Sequence, residues 1–561
     1  MRDTRLLADA AMGRAPLDLV FKNGKIVDVF TGSIIEGDVA IKDGLICGVG
    51  EYSAENEIDV KGKYIMPGFI DSHLHIESSM VTPAEYMKAA FIHGVTTIIA
   101  DPHEIANVCG EAGLKYMKDA AGWLPIKYML PSCVPASPFE HAGAVIDHED
   151  IKRLAPEFFG LGEMMNYPGI VGGDRKVHKR LVKHYMDGHA PLVSGRELDA
   201  YAGTGIRTDH ECTDINEMNE KISKGMYIAV REGTLSKDIE KLVKGITPRT
   251  AKRCMFCTDD RFIGEIYKDG SIDYCIGKAV KLGLDPMDAI AMATINAAEC
   301  YGLEKRGAVA PGRAADLVIA ADLCASEINL VVKDGEIVAR NGAIAVDMPE
   351  VEPSDAVLNT VHIPKKAITP KYFAYNNHGD ELDAIELIPH SIVTKKVRVK
   401  YSDSLTKACV IERHNKLGTK GFAYITNYGI KNAAIAMSIG HDSHNIIVLG
   451  DNDAAMAKAV NALGRKGGIA LAREDEVLAY LKLDIGGIMS SKGAKEVIEE
   501  HDKIYRLCRE LGVTEGIDPF LAPAFLPLPV IPEIRVTDSG LFDVGSFEFI
   551  GGIAEGSGRR L

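Results

Sequence analysis

The chain has 561 residues, of which 46% are hydrophobic and 25% charged, and its formal net charge is −15. This length predicts two to four domains with large cores, and the composition is that of a globular protein. The acidity argues against nucleic acid and anionic membrane surfaces as partners, because both bind through a basic footprint, and leaves small neutral or cationic substrates open.

The lack of a recognisable targeting signal and the pattern of cysteines both predict a cytoplasmic protein. The first twenty residues hold no signal-peptide core, and the chain has no run of the about 20 apolar residues that a membrane span needs. The eleven cysteines are spread from Cys47 to Cys508 without a dense framework, which indicates reduced thiols. We interpret "CMFC" at 254–257 as a buried strand, since no second pair of cysteines accompanies it.

Residues 18–65 alternate short apolar runs with Asn-Gly and Asp-Gly pairs, which predict hairpin turns. The phrase "FKNGKIVDV" near residue 21 is echoed by "VKDGEIVAR" at 332–340. Two similar segments that bracket some 250 residues predict one small β domain built from both flanks, 1–65 plus 306–345.

Between the flanks, short β-branched runs alternate with longer helical patterns. This alternation predicts an α/β fold with a parallel sheet, and its repeat number suits a (β/α)8 barrel over 66–305. The predicted strands include 94–102, 158–165, 190–195, 225–232 and 252–260. After an acidic linker at 346–355, a C-terminal α/β domain spans 346–561, with a strand in "NIIVLG", a helix in "DNDAAMAKAVNALG" and a strand in "GGIALARE".

The stretch "DSHLHIESSM" at 71–80 places titratable residues at alternate positions where a buried strand should end. In an extended strand, His73, His75 and Glu77 point to one face. Two neighbouring imidazoles can share a cation, since neutral imidazole is the commonest metal ligand. An isolated His-x-His, however, is more often a pair of surface histidines, so the rest of the chain decides.

The carboxyl ends of the other predicted strands carry similar residues, and catalytic groups of a parallel barrel lie at those ends. Each residue alone has an ordinary interpretation as a loop acid or a core histidine, but their joint occurrence predicts a metal site. The set, in chain order, is His73, His75, Asp101, His103, Glu104, Glu163, His189, His210, Glu211, Asp259 and Asp260.

Four histidines and an aspartate can hold one ion or two, and Glu163 is available as a bridge between two. Nitrogen and oxygen ligands without thiolate suit Zn, Mn or Fe(II). A bound divalent ion lowers the pKa of its water and supplies hydroxide, and Asp259 can accept and relay the proton.

From about residue 60 to the end, the chain resembles the microbial-type adenine deaminase family of the amidohydrolase superfamily. The resemblance lies in "DSHLHIESSM", "ADPHEIANV", "GEMMNYPG", "DGHAP", "GRELDAYAGTGI", "CTDDR" and the late "GHDSHN". It implies a metal-dependent barrel flanked by a small β-sandwich, and hydrolysis of adenine to hypoxanthine and ammonia by metal-bound hydroxide attacking C6, in purine salvage. It also implies a homo-oligomer.

The resemblance further implies two divalent ions, Mn(II) or Fe(II), with Zn(II) as another option. It assigns His73 and His75 to one ion and His189 and His210 to the other, with Glu163 as the bridge and Asp259 as last ligand and proton shuttle. Asp101, His103 and Glu104 lie on a string that the family uses near its site. The ring nitrogen and the leaving amine both need protons, and Glu77 or Glu104 is expected to protonate the ring.

Two alternatives to this function stay open. The chain can be an amidohydrolase of another heterocycle or a cyclic amide, although Glu163 in place of a bridging lysine weighs against the dihydroorotase type. It can also be an inactive scaffold, which its full ligand set disfavours. Separately, His441, Asp442 and His444 in "GHDSHN" either reach the barrel mouth, where they can hold another ion, or form a hydrogen-bonded loop at a domain junction.

Overall fold

The structure, a computed structural model, describes residues 4–363, 367–375, 381–402 and 405–552. Its first region contains one helix and five strands, namely α1 (Thr4–Ala11), β1 (Leu19–Asp28), β2 (Ser33–Lys42), β3 (Leu45–Gly50), β4 (Glu57–Asp59) and β5 (Tyr64–Pro67).

The Asn-Gly and Asp-Gly signals have different outcomes. Asp43–Gly44 turns the β2–β3 hairpin, as predicted. The hairpin turn predicted at Asn23–Gly24 is wrong, because β1 continues through this pair with a bulge opposite β2. Asn23 takes a positive φ of 57°, and a Cβ on Gly24 would lie 2.4 Å from Cδ1 of Ile65. The glycine therefore lies in a bulged strand packed closely on Ile65 and not in a chain reversal.

The central region contains eight strands separated by helices. The strands are β6 (Phe69–Leu74), β7 (Val95–Ala100), β8 (Ile126–Leu130), β9 (Gly160–Met164), β10 (Tyr185–Gly188), β11 (Thr208–Asp209), β12 (Tyr227–Arg231) and β13 (Cys254–Cys257). The helices are α2 (Pro83–Ile92), α3 (His103–Ala121), α4 (His148–Leu154), α5 (Tyr167–Val171), α6 (Arg175–His178), α7 (Gly195–Ala202), α8 (Ile215–Ser223), α9 (Ile239–Leu242), α10 (Ile263–Asp269), α11 (Ile272–Lys281), α12 (Pro286–Met292) and α13 (Ile295–Cys300).

These strands are parallel and follow barrel order, but they form two sheets, β6 to β10 and β11 to β13, rather than one closed ladder. The closed (β/α)8 barrel is thus only partly confirmed. At one seam Asp259 N–H donates to His73 O at 3.0 Å, and at the other Arg207 N–H donates to Met186 O at 3.0 Å. Side chains add to the first seam, where Asp71 accepts hydrogen bonds from the backbone and hydroxyl of Thr258.

Most predicted strands of this region are confirmed, including the buried "CMFC" strand, β13. The strand predicted at 190–195 is wrong, because β10 ends at Gly188 and the next residues form a loop into α7. That loop contains Pro191, which cannot donate to a ladder, and Leu192 at a φ of 61°. All eleven cysteines lie in the described ranges and are unpaired thiols.

Four further strands, β14 (Leu317–Ala320), β15 (Ile328–Lys333), β16 (Glu336–Arg340) and β17 (Ala343–Ile344), return to the first region. Antiparallel pairing of β14 with β5 unites both flanks in one nine-stranded sheet. The predicted sandwich is therefore a single hydrogen-bonded sheet. It folds around a core shared by strands from both of its ends, including Ile46 of β3 and Val332 of β15.

The described part of the C-terminal region contains the strands β18 (Glu381–Leu387), β19 (Thr394–Lys400), β20 (Thr406–Ile411), β21 (Lys420–Thr426), β22 (Ala433–Met437), β23 (Ile446–Gly450), β24 (Gly468–Arg473), β25 (Glu476–Lys482), β26 (Ile534–Thr537), β27 (Gly540–Asp543) and β28 (Glu548–Gly551). They form an eight-stranded and a three-stranded sheet, ordered β19-β18-β21-β20-β23-β22-β24-β25 and β26-β27-β28. Its helices are α14 (Asp453–Leu463), α15 (Ala494–Glu510) and α16 (Leu521–Ala524). The predicted strand–helix–strand run is confirmed as β23, α14 and β24.

The C-terminal region covers the mouth of the barrel-like region. The loop before α4 binds the β26–β27 turn, where Asp538 accepts from His141 N–H at 3.1 Å and from its Nδ1 at 2.7 Å. On the opposite side His501 of α15 stacks on Phe262 with ring centroids 3.8 Å apart. Across the described ranges, none of the helices combines the length and apolarity of a membrane span.

The His141–Asp538 contact predicts a pH-dependent junction. The hydrogen bond to Asp538 raises the pKa of His141 above its ordinary 6.5, against the opposing effect of burial. The stabilisation is therefore fully present below about pH 6.5 and is lost as pH rises through the folded-state pKa. We expect the unfolding midpoint of His141→Asn, which keeps a donor near the Nδ1 position, to approach that of the unaltered chain as pH rises from about 6 to 9.

Thermal unfolding across this pH range checks the expectation. His148→Asn is the control, because the ion-pair partner of His148 is its own neighbour Glu149. A midpoint difference for His141→Asn that stays constant with pH would show that the junction does not depend on the charge of His141.

Candidate metal centre

Six buried or mostly buried side chains converge at the carboxyl ends of the parallel strands. They come from the ends of five different strands. His73 and His75 come from β6, Glu163 from β9, His189 from β10, His210 from β11 and Asp259 from β13. The alternation expected for a strand holds for His73 and His75, whose rings lie 4.9 Å apart. It is wrong for Glu77, because the strand ends at Leu74 and Glu77 lies in a 3-10 turn at Ile76–Ser79. The ring of His73 also stacks on His210 at 4.1 Å.

Glu163 stands between two pairs of histidines. Its Oε1 is 3.3 Å from Nε2 of His75 and 3.9 Å from Nε2 of His73. Its Oε2 is 2.6 Å from Nδ1 of His189 and 3.2 Å from Nε2 of His210. One carboxylate therefore presents a separate oxygen to each pair, which is the arrangement of a carboxylate shared by two cations.

Asp259 faces the first pair from the end of the neighbouring strand, β13. Its Oδ1 is 3.3 Å from Nε2 of His75 and 3.9 Å from Nε2 of His73, and its Oδ2 accepts from Nη1 of Arg231 at 3.2 Å. Burial opposes ionisation, but His75, Arg231 and His210 together hold the pKa of Asp259 well below its usual range. The aspartate is thus an anion at neutral pH.

The spacing of these atoms fits ligands around ions. Donor atoms about 2.1 Å from one ion lie about 3.0 to 3.4 Å apart, in octahedral or tetrahedral arrangements. The contacts of His75 and His210 with Glu163 fall in this range. His73 stands slightly further away, and its buried Nε2 has no hydrogen-bond partner. The contact of His189 with Glu163 is short enough for a direct hydrogen bond.

The electrostatics of the cluster also fit a cation. Burial, His210 and His75 lower the pKa of His73 well below 6.5, so this imidazole is neutral and its lone pair is free. Despite burial, Glu163 and Asp259 raise the pKa of His210 to about 9. The carboxylates thus draw positive charge to the centre, which divalent ions would provide.

The other predicted residues lie around this centre. His103 begins α3, and its Nδ1 is 3.4 Å from Oε1 of Glu163. Asp101 accepts a hydrogen bond from Glu163 N–H at 2.9 Å and so fixes β9 against β7. Glu77 accepts from Ile105 N–H at 3.1 Å in the first turn of α3, and its Oε2 is buried without a partner. Burial raises the pKa of Glu77 to about 7.

Glu104 faces the C-terminal region. Its Oε1 is 2.6 Å from Nδ1 of His441, and its Oε2 makes a close hydrogen bond with Nε2 of His444. The "GHDSHN" loop therefore does reach the barrel mouth. Oε1 of Glu104 is also 3.4 Å from Nε2 of His103.

Sequence reasoning missed two buried cations that support the centre. Arg231, at the end of β12, binds Asp259, Glu211 and Asp238; a cation that ends the apolar run "YIAV" was an available signal. Lys221 of α8 binds Asp209 at 2.9 Å, and it also donates to the backbone oxygen of Ala190 at 2.7 Å. A lysine on an amphipathic helix is expected at the surface, so nothing in the sequence indicated that Lys221 is buried.

Sequence comparisons agree with this geometry. The "Amidohydrolase family" profile matches residues 64–338, and the "Adenine deaminase C-terminal domain" profile matches residues 386–548. The chain is 46% identical to the adenine deaminase of Clostridium acetobutylicum, over 97% of this chain and 99% of that protein. It is 43% identical to the adenine deaminase of Halalkalibacterium halodurans, over 97% of both chains.

Solved structures are more distant. The crystal structure of enamidase, described as a member of the amidohydrolase superfamily, is 20% identical with a TM-score of 0.44, covering 58% of this chain and 96% of that one. The crystal structure of the atrazine chlorohydrolase from Arthrobacter aurescens TC1 complexed with zinc is 14% identical with a TM-score of 0.41, covering 59% of this chain and 97% of that one.

The Lys221–Asp209 pair holds the loops that follow β10 and β11, and both side chains are fully buried. Removing the lysine would leave Asp209 as a buried anion, which costs about 3–5 kcal/mol. We expect Lys221→Met to lower the free energy of unfolding by about this amount. We also expect it to lower bound metal, since His189 and His210 lie next to the two groups that it ties together.

Denaturant unfolding and metal analysis check both effects. Lys224→Met is the matched control, because Lys224 pairs with Asp199 at the surface; it should behave as the unaltered chain does. Equal stability of the two variants would show that the buried pair does not support the loops.

Proposed function

Because the chain belongs to the adenine deaminase family of the amidohydrolase superfamily, we propose that its centre hydrolyses adenine to hypoxanthine and ammonia. The observation that carries this proposal is the carboxylate of Glu163, which presents one oxygen to each of two histidine pairs. Such a centre suits hydrolysis of a C–N bond in a small heterocycle. A small heterocyclic substrate also does not need the basic surface that a nucleic-acid substrate would require.

The proposed ligand set is supported by the convergence of six side chains. His73 and His75 would hold one divalent ion, His189 and His210 would hold the second, and Glu163 would serve both. Asp259 would complete the first site, as its contact with His75 supports. Nitrogen and oxygen donors without sulfur favour Mn(II) or Fe(II), with Zn(II) as a further option.

When bound, divalent ions lower the pKa of water toward neutrality and so supply the nucleophile. Hydrolysis adds the water oxygen to C6 and breaks the bond from C6 to the amino nitrogen, which departs as ammonia. Asp259 accepts the proton that the water loses, because Arg231 and His75 keep it ionised at neutral pH. The same aspartate can then deliver this proton to the leaving amine. The second water proton, left on the C6 hydroxyl, returns to the acid that protonated the ring as the C6 carbonyl forms.

Protonation of the purine ring nitrogen requires an acid that still holds its proton near pH 7. Of the two candidates, Glu77 meets this need, since burial raises its pKa to about 7. Glu104 does not, because His441, His444 and His103 hold its pKa well below the usual range in spite of burial. We therefore assign the ring proton to Glu77 and a positioning role to Glu104, with His103 and Asp101 supporting Glu163.

Three earlier expectations remain proposals. The division into 1–65 plus 306–345, 66–305 and 346–561 is supported by β5, which ends at Pro67, and by β17, which ends at Ile344. A homo-oligomer and a cytoplasmic location follow from the family and the free thiols, and both stay predictions.

Ammonia release tests the substrate. Protein prepared with Mn(II) after iron is chelated should release ammonia rapidly from adenine, and not from adenosine, cytosine or dihydroorotate. The last compound represents the cyclic amides of the alternative function. Full metal occupancy without turnover of adenine would refute the proposed substrate and leave a metal-binding protein of other specificity.

Two Glu→Gln variants distinguish a metal ligand from a proton donor. Glu163→Gln weakens both sites at once, so we expect bound metal to fall by at least half and activity to be lost. Glu77→Gln leaves the ligands intact, so we expect metal content to be unchanged and kcat to fall by about 100-fold or more.

Metal per chain and steady-state kinetics measure both effects, with Glu157→Gln at the surface as control. If Glu77→Gln loses metal and stability together, its role is to cap α3 rather than to donate a proton.

A further inference from the structure

The contact of Glu104 with the loop at 440–445 joins residues that are 337 and 340 positions apart in the chain. All three side chains, Glu104, His441 and His444, are buried. By composition the group can be a metal site, since one ligand atom from each imidazole and one from the carboxylate lie within 4.8 Å of one another. It can also be a network of direct hydrogen bonds, and the geometry decides between the two.

The distances are those of direct hydrogen bonds. Nδ1 of His441 is 2.6 Å from Oε1 of Glu104, and the contact of His444 with Oε2 is closer still. Both carboxylate oxygens of Glu104 are already occupied by imidazole nitrogens.

The position of the proton on His444 gives a second argument. Gly440 N–H donates to Nδ1 of His444 at 3.3 Å, so Nδ1 is an acceptor and carries no proton. In the neutral ring the proton is then on Nε2, which donates it to Glu104. A metal ion at Glu104 would need the lone pair of this same Nε2.

Two buried arginines hold the loop and its supporting aromatic ring in place. Arg413 donates from Nη2 to Gly486 O at 2.9 Å and from Nε to His444 O. Arg535 donates from Nη1 to Phe525 O at 3.0 Å, and the ring of Phe525 stacks on His441 at 4.3 Å. The guanidinium hydrogen bonds found for these arginines go to backbone oxygens and to one threonine hydroxyl. These bonds hold the backbone that carries His444 and the aromatic ring that packs on His441, and so they fix both imidazoles.

We propose that His441 and His444 are positioning residues of the active site, which hold Glu104 in one orientation through two hydrogen bonds and bind no ion. Glu104 in turn faces Nε2 of His103 at 3.4 Å, and Nδ1 of His103 faces Glu163 at 3.4 Å. The C-terminal region thereby sets the geometry on one side of the centre. This inference rests on the proposed deaminase function for its effect on turnover.

Crossed amide substitutions test it, because an Asn amide nitrogen overlies Nδ1 of histidine and a Gln amide nitrogen overlies Nε2. His441→Asn and His444→Gln keep the donor to Glu104, whereas His441→Gln and His444→Asn misplace it. We expect the misplaced pair to lose about 100-fold in kcat, with KM changed far less, and the matched pair to recover most of that loss. Bound metal should equal that of the unaltered chain in all four.

Metal per chain, kcat, KM and the thermal midpoint are measured for each variant, with His75→Ala as the reference for lost metal. A fall in metal in all four variants, regardless of the amide, would make the cluster an ion site and overturn the proposal. Equal kinetics and midpoints in all four would show that the hydrogen bonds position nothing.

The thermal midpoints keep the two proposals separable. If the unaltered chain does not act on adenine, the substrate assignment fails, but the matched variants should still unfold at higher temperature than the misplaced ones with metal content unchanged. If adenine is turned over and the matched and misplaced variants are equal, the positioning inference alone fails.

Discussion

The centre of this structure depends on one carboxylate, Glu163, that is buried among imidazoles. An unpaired carboxylate in such a place would be strongly destabilising, so its oxygens must each be matched by positive charge or by a donor. The parallel strands provide the match by bringing histidines from both sheets to the same edge. The two sheets do not form one continuous ladder, and the charges at their common edge are part of what holds them in register.

Neighbouring buried charges extend this balance outward. Arg231 offsets Asp259 and Glu211, and Lys221 offsets Asp209 beside His210. At the seam between β6 and β13, Asp71 accepts two hydrogen bonds from Thr258, next to Asp259. Several side chains of the cluster are therefore adjacent in sequence to, or in contact with, groups that are themselves paired. Such a second layer orients the side chains that it contacts and limits their motion.

The sequence predicted the parts of the fold that arise from local periodicity. His73 and His75 were expected on one face because a strand alternates, and Glu163, His189, His210 and Asp259 were expected together because parallel strands end at one edge. What failed depended on packing between distant segments. Asn23–Gly24 has the composition of a turn, yet it forms a bulge inside β1, where Gly24 packs on Ile65 of β5. Lys221 looks like a solvated helix residue, and only the tertiary structure places it beside Asp209.

The same limit applies to the junction between the barrel-like and C-terminal regions. A His-Asp-x-His sequence indicates that the imidazoles have a partner, but it does not identify Glu104, which lies more than 300 positions earlier. The structure shows why this junction is costly to build: His441 and His444 are buried with a carboxylate, and the loop that carries them is fixed by an arginine that is also buried. A region that served only as a cover would not need buried charge at the contact. The charge is explained if the contact must hold one carboxylate in one orientation, because hydrogen bonds between buried groups are directional in a way that apolar packing is not.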